Sequence, residues 1–272
     1  MGAAVEFGVF VEGTTSLRGH MDSNLATEFF DMGSDFGAGK YSNDVCGMVY
    51  VADKDWVPSA KTIKADTLIV GNPSGGLYAD HGSNWSVADV KIGTRSDIGE
   101  MWHSDETQPF INLKEEFNRL RKLSLSYSMM DNSEGVLKNG NEIDFSDVTQ
   151  DVAYYNMDSA EYGSIISGIN ILTGNVQLCV INVDMKDCAG SDLLLQRTKI
   201  DGIGTGANSY NCNKVIWNFY GNNEITVMCD ETTGTILSPD NDFYMANTSA
   251  GRFIVKNFSN GGEAHFTFRF RV

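Results

Sequence analysis

Basic residues are in short supply: 20 Lys and Arg stand against 36 Asp and Glu, which leaves a formal charge of −16. Such a surface repels phosphate, and the chain has no basic stripe, so neither nucleic acid nor an anionic membrane is expected as a partner. The charge serves solubility. Long apolar runs are missing too: no stretch approaches the roughly 20 apolar residues that span a bilayer, so this segment is not expected to insert into one. Met1-Gly2-Ala3-Ala4 leads into strand-like sequence rather than into the basic region and apolar core of a signal peptide. The expectation is a secreted parent that has lost its signal, with Met1-Gly2 left from cloning. A myristoylation signal at Gly2 asks for Ser or Thr four residues on and finds Glu6. Paired cysteines are absent as well. The five present, Cys46, Cys179, Cys188, Cys212 and Cys229, are an odd number without metal-like spacing, so neither a zinc site nor a disulfide framework follows, and their pairing stays open. Cys179 and Cys229 sit inside apolar segments and read as small buried thiols.

Assembled catalytic motifs are missing in the same way. There is no Gly-x-Ser-x-Gly elbow, no His-Glu-x-x-His and no Walker loop, and Gly202-Ile203-Gly204-Thr205-Gly206 lies in a polar loop without flanking strand and helix. His20, His81 and His103 fall in unrelated loops, and His265 alternates out of an apolar strand face. The acidic pairs Asp53/Asp55, Asp184/Asp187 and Asp240/Asp242 lack the Gly and terminal Glu of a calcium loop and read as solvated turns. No catalytic residue, metal ligand or cofactor is therefore assigned, and the ligand-binding residues are left unknown. The rival reading is a polysaccharide hydrolase or lyase. It would show as a groove holding two or three convergent carboxylates with perturbed environments.

What the chain does have is short strands. With 42% apolar and 11% aromatic residues it can fill a core, and elongated all-β folds of 272 residues form one domain, so residues 1–272 are read as one. The C-terminal part carries apolar segments at 214–220, 224–229, 234–239 and 251–256, each bounded by Gly, Asn, Asp, Ser or Thr. A final strand at 265–272 puts Phe266, Phe268, Phe270 and Val272 on one face. Further segments stand at 8–12, 20–27, 47–51, 67–73, 163–173 and 176–183, whereas 131–160 is polar and weakly patterned. One stretch has a helical period: Leu113, Phe117, Leu120, Leu123 and Tyr127 recur at threes and fours behind an Asn112 N-cap, with Glu115 and Glu116 in the first turn. Strands joined by Gly and Asn turns, without an Asn-Gly hairpin signal at each joint, predict an all-β solenoid with this amphipathic helix packed alongside. A β-sandwich is the alternative. Trp217, Phe219, Ile225, Val227, Ile236, Phe253 and Val255 are the predicted heart of the C-terminal core.

Three ordered blocks carry a resemblance: Ile216-Trp217-Asn218-Phe219, Gly234-Thr235-Ile236-Leu237-Ser238-Pro239, and Gly262-Glu263-Ala264-His265 with Phe268 beyond. Together with Val9-Phe10-Val11, 22–27, 67–73 and Ile181-Asn182-Val183 they resemble the choice-of-anchor A domain family. The chain departs from that pattern at Asn24, where glycine is usual, and at Glu28-Phe29-Phe30 in place of Gly-Gly-Asn. The resemblance implies an adhesive, non-catalytic module of bacterial surface or secreted proteins. It would bind a matrix protein or glycan of a host, with ice as a further possibility, and would be joined to stalk or anchor domains of the same polypeptide.

Overall fold

The computed structural model describes residues 1–37, 47–71, 79–105, 107–158, 161, 168–188, 190–205 and 210–265. The chain advances coil by coil. The first coil carries β1 (Val9–Val11), β2 (Thr14–Leu17) and β3 (Met21–Asp22), and the second carries β4 (Leu25–Thr27) and β5 (Phe29–Met32). The third opens with β6 (Met48–Val51), and its Ile63 bridges back to Phe36 of the second. The fourth opens with β7 (Ala65–Val70), followed by the antiparallel strands β8 (Ala79–His81), β9 (Asn84–Val87) and β10 (Val90–Thr94), and then by β11 (Ile98–His103). After the helix α1 (Leu113–Ser128) comes a hairpin, β12 (Leu137–Asn139) and β13 (Glu142–Asp144). Five more coils follow: β14 (Val152–Asp158) with β15 (Ile169–Leu172); β16 (Leu178–Asp184) with β17 (Asp192–Leu195) and β18 (Thr198–Ile200); β19 (Val215–Tyr220) with β20 (Thr226–Cys229); β21 (Thr235–Met245) with β22 (Ser249–Ala250); and β23 (Phe253–Asn260) with β24 (Ala264–His265).

Stacking order differs from chain order. The first face runs β11-β7-β6-β4-β1-β23-β21-β19-β16-β14, every neighbouring pair parallel. A parallel partner needs a crossover of a dozen residues or more, and the rest of each coil supplies it. This is the predicted solenoid and not the sandwich, whose neighbouring strands would run antiparallel. The chain therefore begins in the middle of the stack, climbs to the β11 end, and crosses along α1 to the β14 end. It then winds back until β23 closes on β1. A second face is formed by β17-β20-β21-β23-β2-β5, because β21 and β23 are long enough to turn the corner and pair on both faces. The third face holds β13-β15-β18 and β22-β24-β3.

The interior follows the strand period of two. Leu68, Val49, Leu25, Val9, Phe253, Ile236, Trp217 and Ile181 form one stacked inward column, all buried. All seven residues predicted for the C-terminal core are buried. Glycine marks the corner that opens two of these coils. Gly234 and Gly251 have φ of +120° and +135°, and a Cβ on Gly251 would stand 2.1 Å from the Gly234 carbonyl oxygen. Only glycine lets the two backbones stack that closely.

The outward side of the first face is covered by α1. Asn112 caps the helix by accepting the Glu115 amide, as predicted. Leu113, Phe117 and Leu120 are buried against Phe10, Ile216, Leu237 and Ile254, while Leu123 is only half-buried. Phe117 stacks on Phe10 with ring centroids 5.4 Å apart. Further along, three neighbouring rungs present Asn156, Asn182 and Asn218 in one column. Asn218 Nδ2 donates to Asn182 Oδ1, and Asn182 Nδ2 to Asn156 Oδ1, each at 2.8 Å. The same three amides donate to the carbonyls of Ser124, Tyr127 and Met130. Three helical residues rise about 4.5 Å, close to the roughly 4.8 Å between strands, so the Ser124 and Tyr127 carbonyls meet successive rungs, and Met130, just past the helix end, meets the third. Arg121 fastens the middle, pairing with Asp240 at 2.7 Å and with Glu12.

Several readings of the sequence are corrected. The stretch 131–160 contains β12, β13 and all of β14, disguised because β14 turns Asn156 toward the end of the helix rather than a hydrophobe. Its hairpin is a two-residue turn with Gly140 at φ +56°, the Gly position of a II′ turn. The segments 234–239 and 251–256 are the first halves of longer strands, and Pro239 sits where the β21 register shifts, so its missing N–H costs no ladder bond. Asn24, the departure from glycine, holds a corner: Oδ1 accepts from Gly47 and Met48, and Nδ2 donates to the Glu6 carbonyl. The predicted final strand beyond His265, Phe268 included, and Cys46 lie outside the described residues.

Candidate ligand-binding face

The second face has no element over it among the described residues, and its outward positions can be taken row by row. One row crosses the strands as Asp192, Thr226, Asp242, Asn257, Thr14 and Phe29. The other is Leu194, Met228, Tyr244, Ser259, Ser16 and Asp31. All twelve are exposed or half-buried, while the residues between them, among them Val227, Phe243, Phe258, Thr15 and Phe30, are buried. Alternation of this kind belongs to a sheet with one dry and one wet side. Along each row the side chains repeat at about 4.8 Å, and the rows lie about 6.8 Å apart, two residues of strand.

Fixed hydrogen bonds stiffen the middle of this face. Asn257 Oδ1 accepts the Thr14 amide at 2.8 Å, and Asn257 Nδ2 donates to Asp242 Oδ1 at 2.7 Å. A shallow groove of about 290 Å³ runs there, lined by Thr14, Ser16, Thr226, Asp242, Tyr244 and Asn257 with Ser259. Sequence reading passed over these residues. Their signal was the polar/apolar alternation continuing past the Gly234–Pro239 block through Asp242, Phe243, Tyr244 and Met245.

Residues singled out for chemistry are dispersed. His20 pairs with Asp22 at 2.8 Å, and His265 with Glu263 at 3.2 Å. Asp53 Oδ1 accepts the Asp55 amide and Asp184 Oδ1 the Lys186 amide, local turns as expected. Asp240 serves Arg121 and Asp242 serves Asn257, so that pair is split between a corner and the open face. No group of three or more His, Cys, Asp or Glu able to hold a metal ion assembles among the described residues. Cys179, Cys188, Cys212 and Cys229 form no disulfide among the described residues; burial pushes the Cys179 and Cys229 thiols up to about 12. A groove at the helix N-terminus gathers Glu28, Asp53 and Asp105 with Lys54 and Lys114. Glu28 is raised above the usual carboxylate range by burial and then by Asp53, whereas hydrogen bonds from Thr107 hold Asp105 low. Two lysines beside three carboxylates make this groove a mixed-charge corner as much as an acid–base pair.

A family model described as "Putative Ice-binding-like adhesive domain" matches residues 1–266. The chain belongs to this adhesive-domain family. The adhesive character expected from the sequence holds at that level, while the family shown is the ice-binding-like one rather than choice-of-anchor A. Among curated proteins no match is found. Of solved structures, the ice-binding protein of the Antarctic ascomycete Antarctomyces psychrotrophicus is similar at 10% identity and a TM-score of 0.44, over 98% of this chain and 97% of that one. An ice-binding protein from an Arctic yeast is similar at 9% identity and a TM-score of 0.40, over 100% and 94%. The backbones diverge widely at these scores, and the fold stands on the strand pairing above.

Proposed function

We propose that this chain is a non-catalytic adhesive domain of a cell-surface or secreted protein, holding an extended ligand on its second face. The observation that carries the reading is the contrast between faces: one sheet surface is covered by α1, while the second is left open and polar over six rungs. A stiff open sheet loses little conformational entropy when a long ligand lies on it, and weak contacts repeated along the rungs add up without a deep pocket. Ice is the second reading, favoured by the family description. Against it stand the acidic side chains of Asp192, Asp242 and Asp31, the last paired with Arg18, on a face that an ice plane would need regular and uncharged.

The test places arginines on the face. Thr14→Arg and Ser259→Arg, singly and together, are assayed for adhesion to matrix proteins, immobilised polysaccharides and ice, alongside release of reducing ends from polysaccharides. Loss of adhesion with an unchanged unfolding midpoint is the expected result. Adhesion indifferent to both arginines would place the ligand elsewhere, and turnover abolished by Glu28→Gln would make the helix-end groove an active site.

A further inference from the structure

We infer that the centre of the second face is a subsite for an uncharged polysaccharide, laid along the solenoid axis across β20, β21, β23 and β2. The inference rests on the adhesive reading above and narrows it to one ligand chemistry. The two outward rows differ in kind. Leu194, Met228 and Tyr244 form an apolar edge that continues into the small Ser259 and Ser16. Parallel to it, Thr226, Asp242, Asn257 and Thr14 form an edge of hydroxyl, carboxylate and amide. A pyranose ring is built the same way, with an apolar C–H face and a rim of hydroxyls. Laid on this surface, its face meets the apolar row while its rim reaches the polar one.

Tyr244 is placed to be the platform. Its hydroxyl reaches toward Gly261, where an added Cβ would stand 2.8 Å from Tyr244 Oη and 3.7 Å from Cζ. The ring thus leans along the sheet instead of standing away from it, and a side chain at position 261 would have to displace its hydroxyl. Aromatic faces attract C–H groups and contribute beyond the area they bury. Around the ring, Asp242 Oδ1 is fixed by Asn257, which leaves Oδ2 oriented as an acceptor. Oδ2, Tyr244 Oη, Thr14 Oγ1 and Thr226 Oγ1 have no hydrogen-bond partner within the protein among the described residues, and all four residues line the groove. A few convergent polar groups beside an apolar wall are the usual make-up of a specific site.

Charge decides between classes of ligand. Asp192 and Asp242 on the polar row, on a chain of net charge −16, repel carboxylated or sulfated glycans. An extended peptide would seek an open strand edge, and this surface offers side chains rather than unpaired backbone.

The experiment uses affinity electrophoresis and calorimetry on the 272-residue chain, with β-glucan, xylan and galactomannan as neutral probes and alginate as the anionic one. At least one neutral polymer should bind, and alginate should not. Tyr244→Ala should weaken binding at least tenfold and Asp242→Asn at least threefold. Gly261→Val, which crowds Tyr244, should weaken it while Tyr244 itself is present and have no further effect in Tyr244→Ala. Lys199→Ala on the third face should leave it unchanged, and circular dichroism and the unfolding midpoint confirm folding throughout. Failure of all neutral polymers, or binding within twofold of the parent in both Tyr244→Ala and Asp242→Asn, overturns the subsite. If ice or a matrix protein binds instead, and Thr14→Arg abolishes that, the adhesive reading stands and only the glycan inference falls. If a ligand binds and neither arginine on the second face disturbs it, both fall.

Discussion

The first and second faces are made by the same coils, and in β21 and β23 by the same strands, over one shared interior. Their outward rows nevertheless diverge. On the first face these positions are Phe10, Ala26, Tyr50, Ile69, Ile216, Leu237 and Ile254, followed by the Asn156–Asn182–Asn218 column, and they are covered by α1 together with Phe110 and Ile111 just before it. On the second they are Thr14, Ser16, Thr226, Asp242, Tyr244, Asn257 and Ser259, with nothing described above them. Inward residues build a solenoid of either kind. Outward residues decide whether a face becomes structure or is left for a ligand.

The scale is set by an inward residue. Trp217 is buried between the rungs, with its indole N–H donating to the Thr233 carbonyl at 3.3 Å. Trp217→Ala should cost about 3–5 kcal/mol, read as a shift in the urea midpoint. A cost under about 1 kcal/mol would mean that the rungs do not close over it. Next is the covered face. Phe117→Ala empties the contact with Phe10 and should cost about 3 kcal/mol. Asn182→Ala strands the Tyr127 carbonyl and both neighbouring amides, and about 2 kcal/mol is expected. Hydrogen exchange should show the last turns of α1 opening first in that variant. Equal protection along the helix would mean that the column does not hold it. On the open face, Thr14→Arg and Ser259→Arg should alter stability by no more than about 0.5 kcal/mol. A loss comparable to Phe117→Ala would show the second face to be a structural contact.

The solenoid, the helix with its cap and the C-terminal core were legible in the sequence, because each rests on local periodicity and punctuation. The order of stacking was not. Val9, Leu25, Val49 and Leu68 occupy one column at separations of 16, 24 and 19 residues, too uneven to read as a repeat. That β23 closes on β1 is a contact between chain ends that no local pattern encodes. Trp217-Asn218-Phe219 and Ile181-Asn182-Val183 were visible as recurring blocks. Why asparagine stands in both became clear only when the two amides were found donating to helix carbonyls. The candidate face stayed hidden because its residues are ordinary polar ones, made a surface by the register of strands far apart in sequence.

The smallest effect is a difference between the two faces that should vanish. Cys179 points inward beneath the covered face and Cys229 beneath the open one, and burial pushes both thiols up to about 12. A thiol whose folded pKa lies above its unfolded value of about 8.5 holds its proton more tightly when folded. Its stabilising contribution is complete below that unfolded value and is lost as pH rises toward the folded one. Between pH 7 and 9 each thiol should therefore subtract about 0.8 kcal/mol from stability. Cys179→Ala and Cys229→Ala should each lower the baseline through a cavity and flatten that slope by the same amount. Equal flattening means that the open face keeps its interior as dry as the helix-covered one. If Cys229→Ala leaves the slope unchanged while Cys179→Ala flattens it, water reaches the core through the second face, which is then not the stiff surface that adhesion requires.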